Sequence, residues 1–277
     1  MELVRKFQTA TIIFKRDGFF ALLRAIRGHI RNKFGAYQPD ENEIAFKALK
    51  ADTFKNTMID VGTHHGRALA PYANKGWQVY AFEPDSKNRE ILVSTFGESD
   101  NVVIDIRAVA DKDNEKVVFY RSEESTGISG LSSFHESHEA ADEVELITLS
   151  RYLDDSGITE PDINFLKIDA EGFDLNVLRG FPWQKNAPDV ILCEFEDSKT
   201  VPIGYTFHDL AQYLEETGYK IIISEWYPIV KYGSRHKWRR FSTYPCQLES
   251  EEAWGNIIAA KDDATFDSLL KLCKLNN

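Results

Sequence analysis

The chain has 277 residues, of which 43% are hydrophobic and 28% are charged, and its formal net charge at pH 7 is −11. These values fit a soluble globular protein of one large or two small domains and exclude a disordered, collagen-like or coiled-coil chain. No apolar run approaches the ~20 residues of a membrane-spanning helix, and the acidic balance argues against nucleic acid as a partner. Three widely separated cysteines favour a reducing, cytoplasmic compartment.

Residues 1–45 are predicted to form a separate basic, helical segment. Residues 1–40 contain eight Lys or Arg residues and three Asp or Glu residues, a balance of +5. Apolar residues recur at helical spacing between Phe19 and Phe34, and arginines line another side, which predicts an amphipathic cationic helix. Two interpretations stay open. Residues 1–35 either contact the inner face of a membrane peripherally, or form a helix that packs on the main domain with its basic side in water.

Residues 46–277 are predicted to form one α/β domain. The predicted strands are 57–61, 78–82, 102–106, 116–121, 144–149, 163–168, 190–195 and 219–224, and the predicted helices are 67–74, 86–96, 175–178 and 206–216. The last helix has Thr206 and Asp209 at capping-box spacing. Strands separated by helices imply parallel pairing and a doubly wound sheet. Ligands of such sheets bind beyond the carboxyl ends of the strands, so the residues just after strands are the candidate site.

The first predicted strand leads into a nucleotide-type loop with the sequence DVGTHHG (60–66). Gly62 lets the backbone approach a ligand closely, and Gly66 lets a helix begin against the strand. The G-x-x-x-G spacing is neither that of the nicotinamide-binding motif nor a P-loop. Asp60 is unfavourable beside a pyrophosphate but suits a positive group, such as the amino group of S-adenosylmethionine. Thr63 and His64 belong to this loop and are expected to act through their backbone.

The second and third predicted strands end in further candidates for a nucleoside site. Glu83, followed by Pro84, lies 23 residues after Asp60, near the ~20-residue offset of an acid that binds a ribose diol. A carboxylate accepts two hydroxyl hydrogen bonds at once. The alternative is a surface carboxylate that caps the next helix. Residues from Ala108 to Asp111 are predicted to line one side of an adenine pocket, although Asp111 is equally well interpreted as a turn residue.

Charged residues accumulate where the later strands end. Lys167, Asp169 and Glu171 share one side of an extended segment by the two-residue alternation. Glu194 adds a further carboxylate at the end of the next strand. Charges at this edge are costly unless they are paired or used. Asp169 and Lys167 therefore form either part of a catalytic site or a structural ion pair.

The run KIDAEGFDLNVLRG (167–180), preceded by MIDVGTHHG (58–66) and AFEPD (81–85), resembles the FkbM family of S-adenosylmethionine-dependent methyltransferases. The segments SGLSSF (129–134), ITLSRYL (147–153) and VILCEFE (190–196) are similar to it as well, so that the resemblance covers residues 55–225. It implies a mostly parallel, seven-stranded Rossmann-like sheet with a final antiparallel hairpin. It also implies O-methylation of a hydroxyl on a sugar, a polysaccharide or a secondary metabolite, with S-adenosylmethionine as the donor.

The resemblance also suggests roles for single residues. It assigns Asp60, Gly62 and Gly66 to the methionine-binding motif, Glu83 to the ribose, and Asp169 to the motif nearest the transferred methyl. The complete predicted donor-binding set is Asp60, Gly62, Thr63, His64, Gly66, Glu83, Pro84, Ala108, Asp111 and Asp169.

For catalysis, we expect Asp169 to orient or deprotonate the acceptor hydroxyl, which is a weak nucleophile at neutral pH. Lys167 and Glu171 would hold the loop or the substrate. His135 flanks the Ser/Gly-rich loop 125–133, a candidate acceptor flap, and is a second candidate base. His135 and His138 lack an evident third ligand nearby, so no metal site is predicted.

Two other classes of function are kept as alternatives. A nucleotide-cofactor oxidoreductase is disfavoured by the missing G-x-G-x-x-G motif. A non-catalytic Rossmann-like binding protein would keep the fold and use the basic arm to associate with a membrane or a partner. The expected partner of the enzyme is a carbohydrate or small-molecule hydroxyl acceptor.

Overall fold

The computed structural model describes residues 38–51, 56–122, 124–157, 163–185, 187–232 and 234–275. The chain divides into two units, Met1–Gln38 and Pro39–Asn277, so the division falls before the predicted boundary between residues 45 and 46. The predicted basic helix and its membrane contact lie outside the described residues. Within the described ranges, no helix combines the length and the apolar character needed to cross a membrane.

The second unit is an α/β domain with a large sheet and a small one. Its strands are β1 (Thr57–Val61), β2 (Gln78–Phe82), β3 (Val102–Asp105), β4 (Ala108–Val109), β5 (Lys116–Ser122), β6 (His138–Ile147), β7 (Ile163–Ile168), β8 (Val190–Glu196), β9 (Lys220–Trp226), β10 (Trp238–Thr243) and β11 (Trp254–Ala260). Its helices are α1 (Glu41–Ala48), α2 (Ala70–Ala73), α3 (Ser86–Phe96), α4 (Leu149–Asp155), α5 (Asp174–Arg179), α6 (Asp197–Thr200), α7 (Phe207–Glu216) and α8 (Asp263–Leu272), with 3₁₀ turns at Thr126–Ile128 and Val201–Ile203.

The large sheet has the strand order β10-β9-β11-β8-β7-β1-β2-β3. The strands from β3 to β8 in this order pair in parallel, whereas β11 is antiparallel to both β8 and β9. This confirms the predicted mostly parallel, doubly wound Rossmann-like sheet. The predicted number of seven strands is wrong, because β10 adds an eighth strand antiparallel to β9 at one edge. Strands β4, β6 and β5 form the small sheet.

Both faces of the large sheet are covered by helices, since each strand sends alternate side chains to opposite sides. Ile59 packs into a core cluster with residues of α4, α5 and α7. The preceding residue, Met58, packs into a second cluster with residues of α1, α3 and α8. Ile257 and Ile258 divide in the same way. The central strands of the sheet are therefore buried on both sides, which leaves the ends of these strands as the place for a ligand.

The segment after β1 differs from the prediction of a helix over 67–74, because only Ala70–Ala73 is helical. Gly66 has a φ of +81° and lies against the side chains of Leu92 and Phe96 on α3. Residues 62–66 are thus a turn that packs on α3 before the helix begins. Strand β6 is also longer than predicted, since its pairing with β5 begins at His138. The capping box at Thr206 and Asp209 is present at the start of α7.

The approach of β1 to β7 generates a prediction about Gly62. Its φ is +71°, and a Cβ atom there would lie 1.9 Å from the carbonyl oxygen of Asp169. The Gly62→Ala variant should lose about 1–2 kcal/mol of unfolding free energy from the left-handed backbone and about 1–3 kcal/mol more from the forced separation of the two chain segments. Urea unfolding measures both losses together.

The matched control is Gly157→Ala. Gly157 has a similar φ of +63°, but a Cβ atom there meets none of the described residues within 4 Å. It should therefore lose only the backbone part. Equal losses in the two variants would show that the close approach at Gly62 does not constrain the fold.

Candidate active site

A cleft of about 210 Å³ opens at the carboxyl ends of β1, β2 and β7. This is the place where the chain order of the sheet reverses, since β1 lies between β2 and β7. The lining includes seven of the predicted site residues, which are Gly62, His64, Glu83, Pro84, Ala108, Asp169 and Glu171. Apolar residues complete part of the wall, namely Val61, Phe82, Val109, Phe119 and Leu131.

The turn after β1 is held by its own backbone contacts. The amides of Gly62 and Thr63 both donate to the carbonyl of Phe82, at 3.0 and 3.1 Å. Gly62 is needed where the chain passes the carbonyl of Asp169. The freedom of this glycine therefore serves an approach between two loops of the protein, in addition to any approach of a ligand.

Glu83 is buried at the floor of the cleft and connects the turn to the end of β2. Its two carboxylate oxygens accept hydrogen bonds from the amides of His64 (2.6 Å) and Asp85 (2.9 Å). Burial outweighs these bonds and raises the pKa of Glu83 to about 7. Each oxygen has a second lone pair for a hydroxyl donor in the cleft. The helix cap predicted as the alternative role falls to Asp85, which accepts from the amides of Lys87 and Asn88.

Asp60 lies behind the turn and does not line the cleft. It is completely buried, and its Oδ1 is 3.2 Å from the ammonium of Lys167. Lys167 also donates to the carbonyl of Gly62 at 2.9 Å and lies 3.5 Å from Asp169. Burial raises the pKa of Asp60 despite the lysine. Burial opposes the charge on Lys167, but Asp60 and Asp169 outweigh the effect of burial and raise the pKa of this lysine. Lys167 is therefore charged, and its short distance to Asp60 favours the ionised form of that carboxylate.

Asp169 and Glu171 bring two carboxylates to the cleft from the turn after β7. Asp169 has a side chain that is 42% exposed, whereas Glu171 is buried. Glu171 has a φ of +50°, in the left-handed region that a side-chain-bearing residue rarely adopts. Its Oε2 is 2.7 Å from the ammonium of Lys199 on α6.

Lys199 is the centre of a buried cluster of charges that the sequence prediction missed. Its side chain is 2% exposed, and its ammonium lies 2.7 Å from Glu171, 3.0 Å from Glu194 and 2.9 Å from Glu196. Burial opposes its charge, but the three carboxylates outweigh burial and raise the pKa of Lys199 well above its usual range. The pattern Glu194-x-Glu196-x-x-Lys199 at the end of a strand is the sequence signal for this cluster.

Carboxylate oxygens of Asp169, Glu171 and Glu194 lie within 4.8 Å of one another. A single cation can contact several oxygens at that spacing. Here the ammonium of Lys199 contacts two of the three carboxylates, those of Glu171 and Glu194. A second residue that the prediction missed is Asn88, which lines the cleft. Its buried Oδ1 has no hydrogen-bond partner among the described residues.

The structure does not bring all of the predicted residues to the cleft wall. Asp111 is exposed and accepts a hydrogen bond from Asn176. Thr63 donates its hydroxyl to the carbonyl of Asp60 at 2.8 Å. His135 lies 2.7 Å from Ser137 and stands edge-on to the ring of Tyr232, 5.3 Å away. None of these three lines the cleft.

Comparisons with solved structures find distant likenesses. A precorrin-6y C5,15-methyltransferase from Geobacter metallireducens is 13% identical, with 80% of this chain and 87% of that chain covered and a TM-score of 0.42. A SAM-dependent O-methyltransferase from Thermotoga maritima is 14% identical, with 84% and 69% covered and a TM-score of 0.38. A TehB-like SAM-dependent methyltransferase from Corynebacterium glutamicum is 12% identical, with 87% and 97% covered and a TM-score of 0.38.

No curated protein sequence matches the chain. The family model of the methyltransferase FkbM domain, however, matches residues 60–221. This range is more than half of the chain and includes the turn after β1, Glu83, and the turn after β7 with Asp169 and Glu171. The chain therefore belongs to the FkbM methyltransferase family.

Proposed function

We propose that this methyltransferase uses S-adenosylmethionine to methylate a hydroxyl of a glycan, a polysaccharide or a related metabolite. The observation that carries the proposal is the charge of the cleft. Glu83, Asp169 and Glu171 line it, and none of the lining residues that the structure describes is Lys or Arg. Burial, with help from His65, also lowers the pKa of His64, which keeps this ring neutral. A wall of carboxyl groups without a cation can lose protons to accommodate a cationic ligand, and it offers a pyrophosphate no positive partner.

The residues of the cleft fit the parts of this donor. Glu83 would hold the ribose hydroxyls, and the apolar wall of Val109, Phe119 and Leu131 would face the adenine. The buried Oδ1 of Asn88, which accepts no hydrogen bond from a described residue, can accept one from an N–H or O–H group of a ligand. Asp169 and Glu171 would lie near the positive groups. When bound, this donor supplies a methyl carbon that is made electrophilic by a positive sulfur.

The contribution of the chain to methyl transfer is to position the acceptor hydroxyl and to receive its proton. Asp169 is the lining carboxylate with the greater exposure, and it would orient the hydroxyl or take its proton. We expect the segments 121–140 and 226–245 to select the acceptor. Their loops, between β5 and β6 and between β9 and β10, are the two acceptor loops, and they meet through the contact of His135 with Tyr232 and through Lys231, which lies 3.9 Å from Glu124.

The location and the partners remain part of the proposal. The cysteines Cys193, Cys246 and Cys273 are free thiols, which supports a reducing compartment, and we place the enzyme in the cytoplasm. The acceptor would be a neutral carbohydrate or small molecule rather than a nucleic acid, because the cleft is acidic. Peripheral membrane contact through residues 1–35 stays a prediction.

The proposed function is tested by binding and transfer together. Titration calorimetry of the purified chain should show binding of S-adenosylmethionine and of S-adenosylhomocysteine, and no binding of NAD. Incubation with methyl-labelled donor and a panel of glycans should then transfer label to a hydroxyl-bearing acceptor. Binding of NAD in place of the sulfonium donor would contradict the proposal. Donor binding without transfer to any glycan would favour the non-catalytic alternative.

Glu83→Gln tests the ribose assignment. Because an uncharged amide offers one acceptor oxygen in place of two, the affinity for S-adenosylmethionine and for S-adenosylhomocysteine should fall equally, by about 10- to 100-fold. In the wild type both affinities should rise as the pH increases through about 7, where Glu83 ionises, and the variant should lose this dependence for S-adenosylhomocysteine. The control is Glu90→Gln, which changes an exposed glutamate on the neighbouring helix α3. An unequal loss for the two ligands would place Glu83 near the sulfonium instead.

Asp169→Asn tests recognition of the positive charge. An opposite charge at contact distance is worth ~1 kcal/mol or more even in high dielectric, so the ratio of the affinities for S-adenosylmethionine and S-adenosylhomocysteine should fall about fivefold or more. Asp111→Asn removes an exposed aspartate away from the cleft and should leave this ratio unchanged. A reduced ratio in Asp111→Asn would restore Asp111 to the donor site.

A further inference from the structure

The cluster around Lys199 contains more negative than positive charge. Glu171, Glu194 and Glu196 surround a single ammonium, and Asp169 lies close enough to raise the pKa of Glu171 and that of Asp174. Groups of like charge in a buried site do not all ionise together. Burial raises the pKa of Glu171 to about 8, although Lys199 opposes this change. Burial likewise raises the pKa of Glu194 well above its usual range. The cluster therefore holds a proton near neutral pH.

Glu171 is the member of this cluster that reaches the cleft. Its left-handed backbone, with a φ of +50°, turns its carboxylate towards Lys199, and Gly130 of the flap lies against its Cβ. A backbone conformation of this kind persists where the surroundings enforce it. Glu171 therefore links the buried cluster on one side with the ligand cleft on the other.

The surroundings of Lys199 hold its ammonium in place. The rings of Phe134 and Tyr232 lie 5.2 and 5.8 Å from the nitrogen. Glu196 is fixed in turn by the hydroxyls of Ser198 (2.8 Å) and Tyr232 (3.0 Å). Lys199 is thus a fixed charge that touches the carboxylates and does not itself line the cleft.

Several titratable groups interact with Glu171. Lys199 on α6, Asp169 at the end of β7 and Glu196 on β8 shift its pKa directly, and Glu171 in turn shifts the pKa values of Glu194 and Tyr232. Lys167, Asp174, His135 and His138 interact with Asp169, with Lys199 or with each other. Asp169 is the other candidate proton acceptor. Its side chain is 42% exposed and lies 3.5 Å from Lys167, so that solvent and a cation compete for its oxygens.

We propose that Glu171 takes the proton of the acceptor hydroxyl, and that Lys199 is the positioning residue that keeps Glu171 able to ionise; the inference rests on the proposed function. In this step the O–H bond breaks and its proton moves to a carboxylate oxygen of Glu171. The oxygen forms its bond to the methyl carbon, and the electron pair of the broken carbon–sulfur bond stays on sulfur. Glu171 releases its resting proton to the solvent beforehand, when a positive charge enters the cleft beside Asp169.

The test is a proton count. Titration calorimetry in two buffers of different ionisation heat, near neutral pH, gives the number of protons released when a ligand binds. S-adenosylmethionine and S-adenosylhomocysteine share the ribose, so the contribution of Glu83 cancels in their difference. The charged ligand should release more protons, by up to about one, and Glu171→Gln should abolish this difference, whereas the exposed Glu90→Gln should retain it.

Two results would overturn the role of Glu171. One is equal proton release for the two ligands in the wild type. The other is a difference that survives in Glu171→Gln and disappears in Asp169→Asn, which would make Asp169 the proton acceptor. In either case both ligands bind, so the proposed function is unaffected. Absence of binding by either ligand would contradict the proposed function itself.

Lys199 is tested through the pH profile of kcat/KM. Lys199→Gln removes the ammonium that favours ionised Glu171, so the acid limb of the profile should move to higher pH by about one unit or more. Lys199→Arg keeps the charge and should keep the limb near its wild-type position. A purely structural role would lower kcat/KM at every pH without moving the limb. If Lys199→Gln does not fold, the calorimetry of Glu171→Gln decides the proposal.

Discussion

The close approach of the turn after β1 to the turn after β7 determines the rest of the site. Gly62 makes room for the carbonyl of Asp169. Lys167, at the end of β7, stabilises this contact through its hydrogen bond to the carbonyl of Gly62 and its ion pair with Asp60. The amides of this turn also reach Phe82 and Glu83 at the end of β2. Three strand ends are therefore fixed together by these contacts, which shape the cleft between them.

The two lysines of this region lie behind the cleft wall rather than on it. Lys167 neutralises Asp60, and Lys199 partly neutralises three glutamates. Burying charges in this way costs desolvation free energy, which a good ion-pair geometry only partly offsets. The consequence for ligands is that the accessible wall is acidic while the compensating cations are inaccessible. A conventional nucleotide site places its cations and amides towards the phosphates, so this arrangement disfavours a ligand with a pyrophosphate.

The sequence allowed the strands that carry Asp60, Glu83 and Asp169 to be predicted, because the alternation of apolar strands and helices and the offset between the acids are local or pairwise patterns. The sequence did not show that Asp60 is buried behind the turn beside Lys167. Whether a residue at the end of a strand is buried depends on the direction in which the following loop folds, and the sequence pattern does not give that direction. The cluster at Lys199 was missed because it joins α6 to a turn 28 residues earlier. Strand β10 was missed because Arg239 and Arg240 interrupt its apolar pattern. The structure shows that both arginines pair with the buried Glu225 on β9.

The turn from Asp169 to Glu171 faces in two directions, and this has a consequence for the order of events. Asp169 faces the cleft, and Glu171 contacts the buried cluster. A charge that enters the cleft beside Asp169 therefore changes the proton affinity of Glu171. Such coupling is reciprocal: if a bound positive charge favours ionised Glu171, ionised Glu171 favours the bound charge by the same factor. In the proposed reaction, loss of the methyl removes the positive charge of the donor, and Glu171 becomes neutral when it takes the acceptor's proton. The attraction between these two charges would then be lost, and the product would be held mainly through its ribose and adenine.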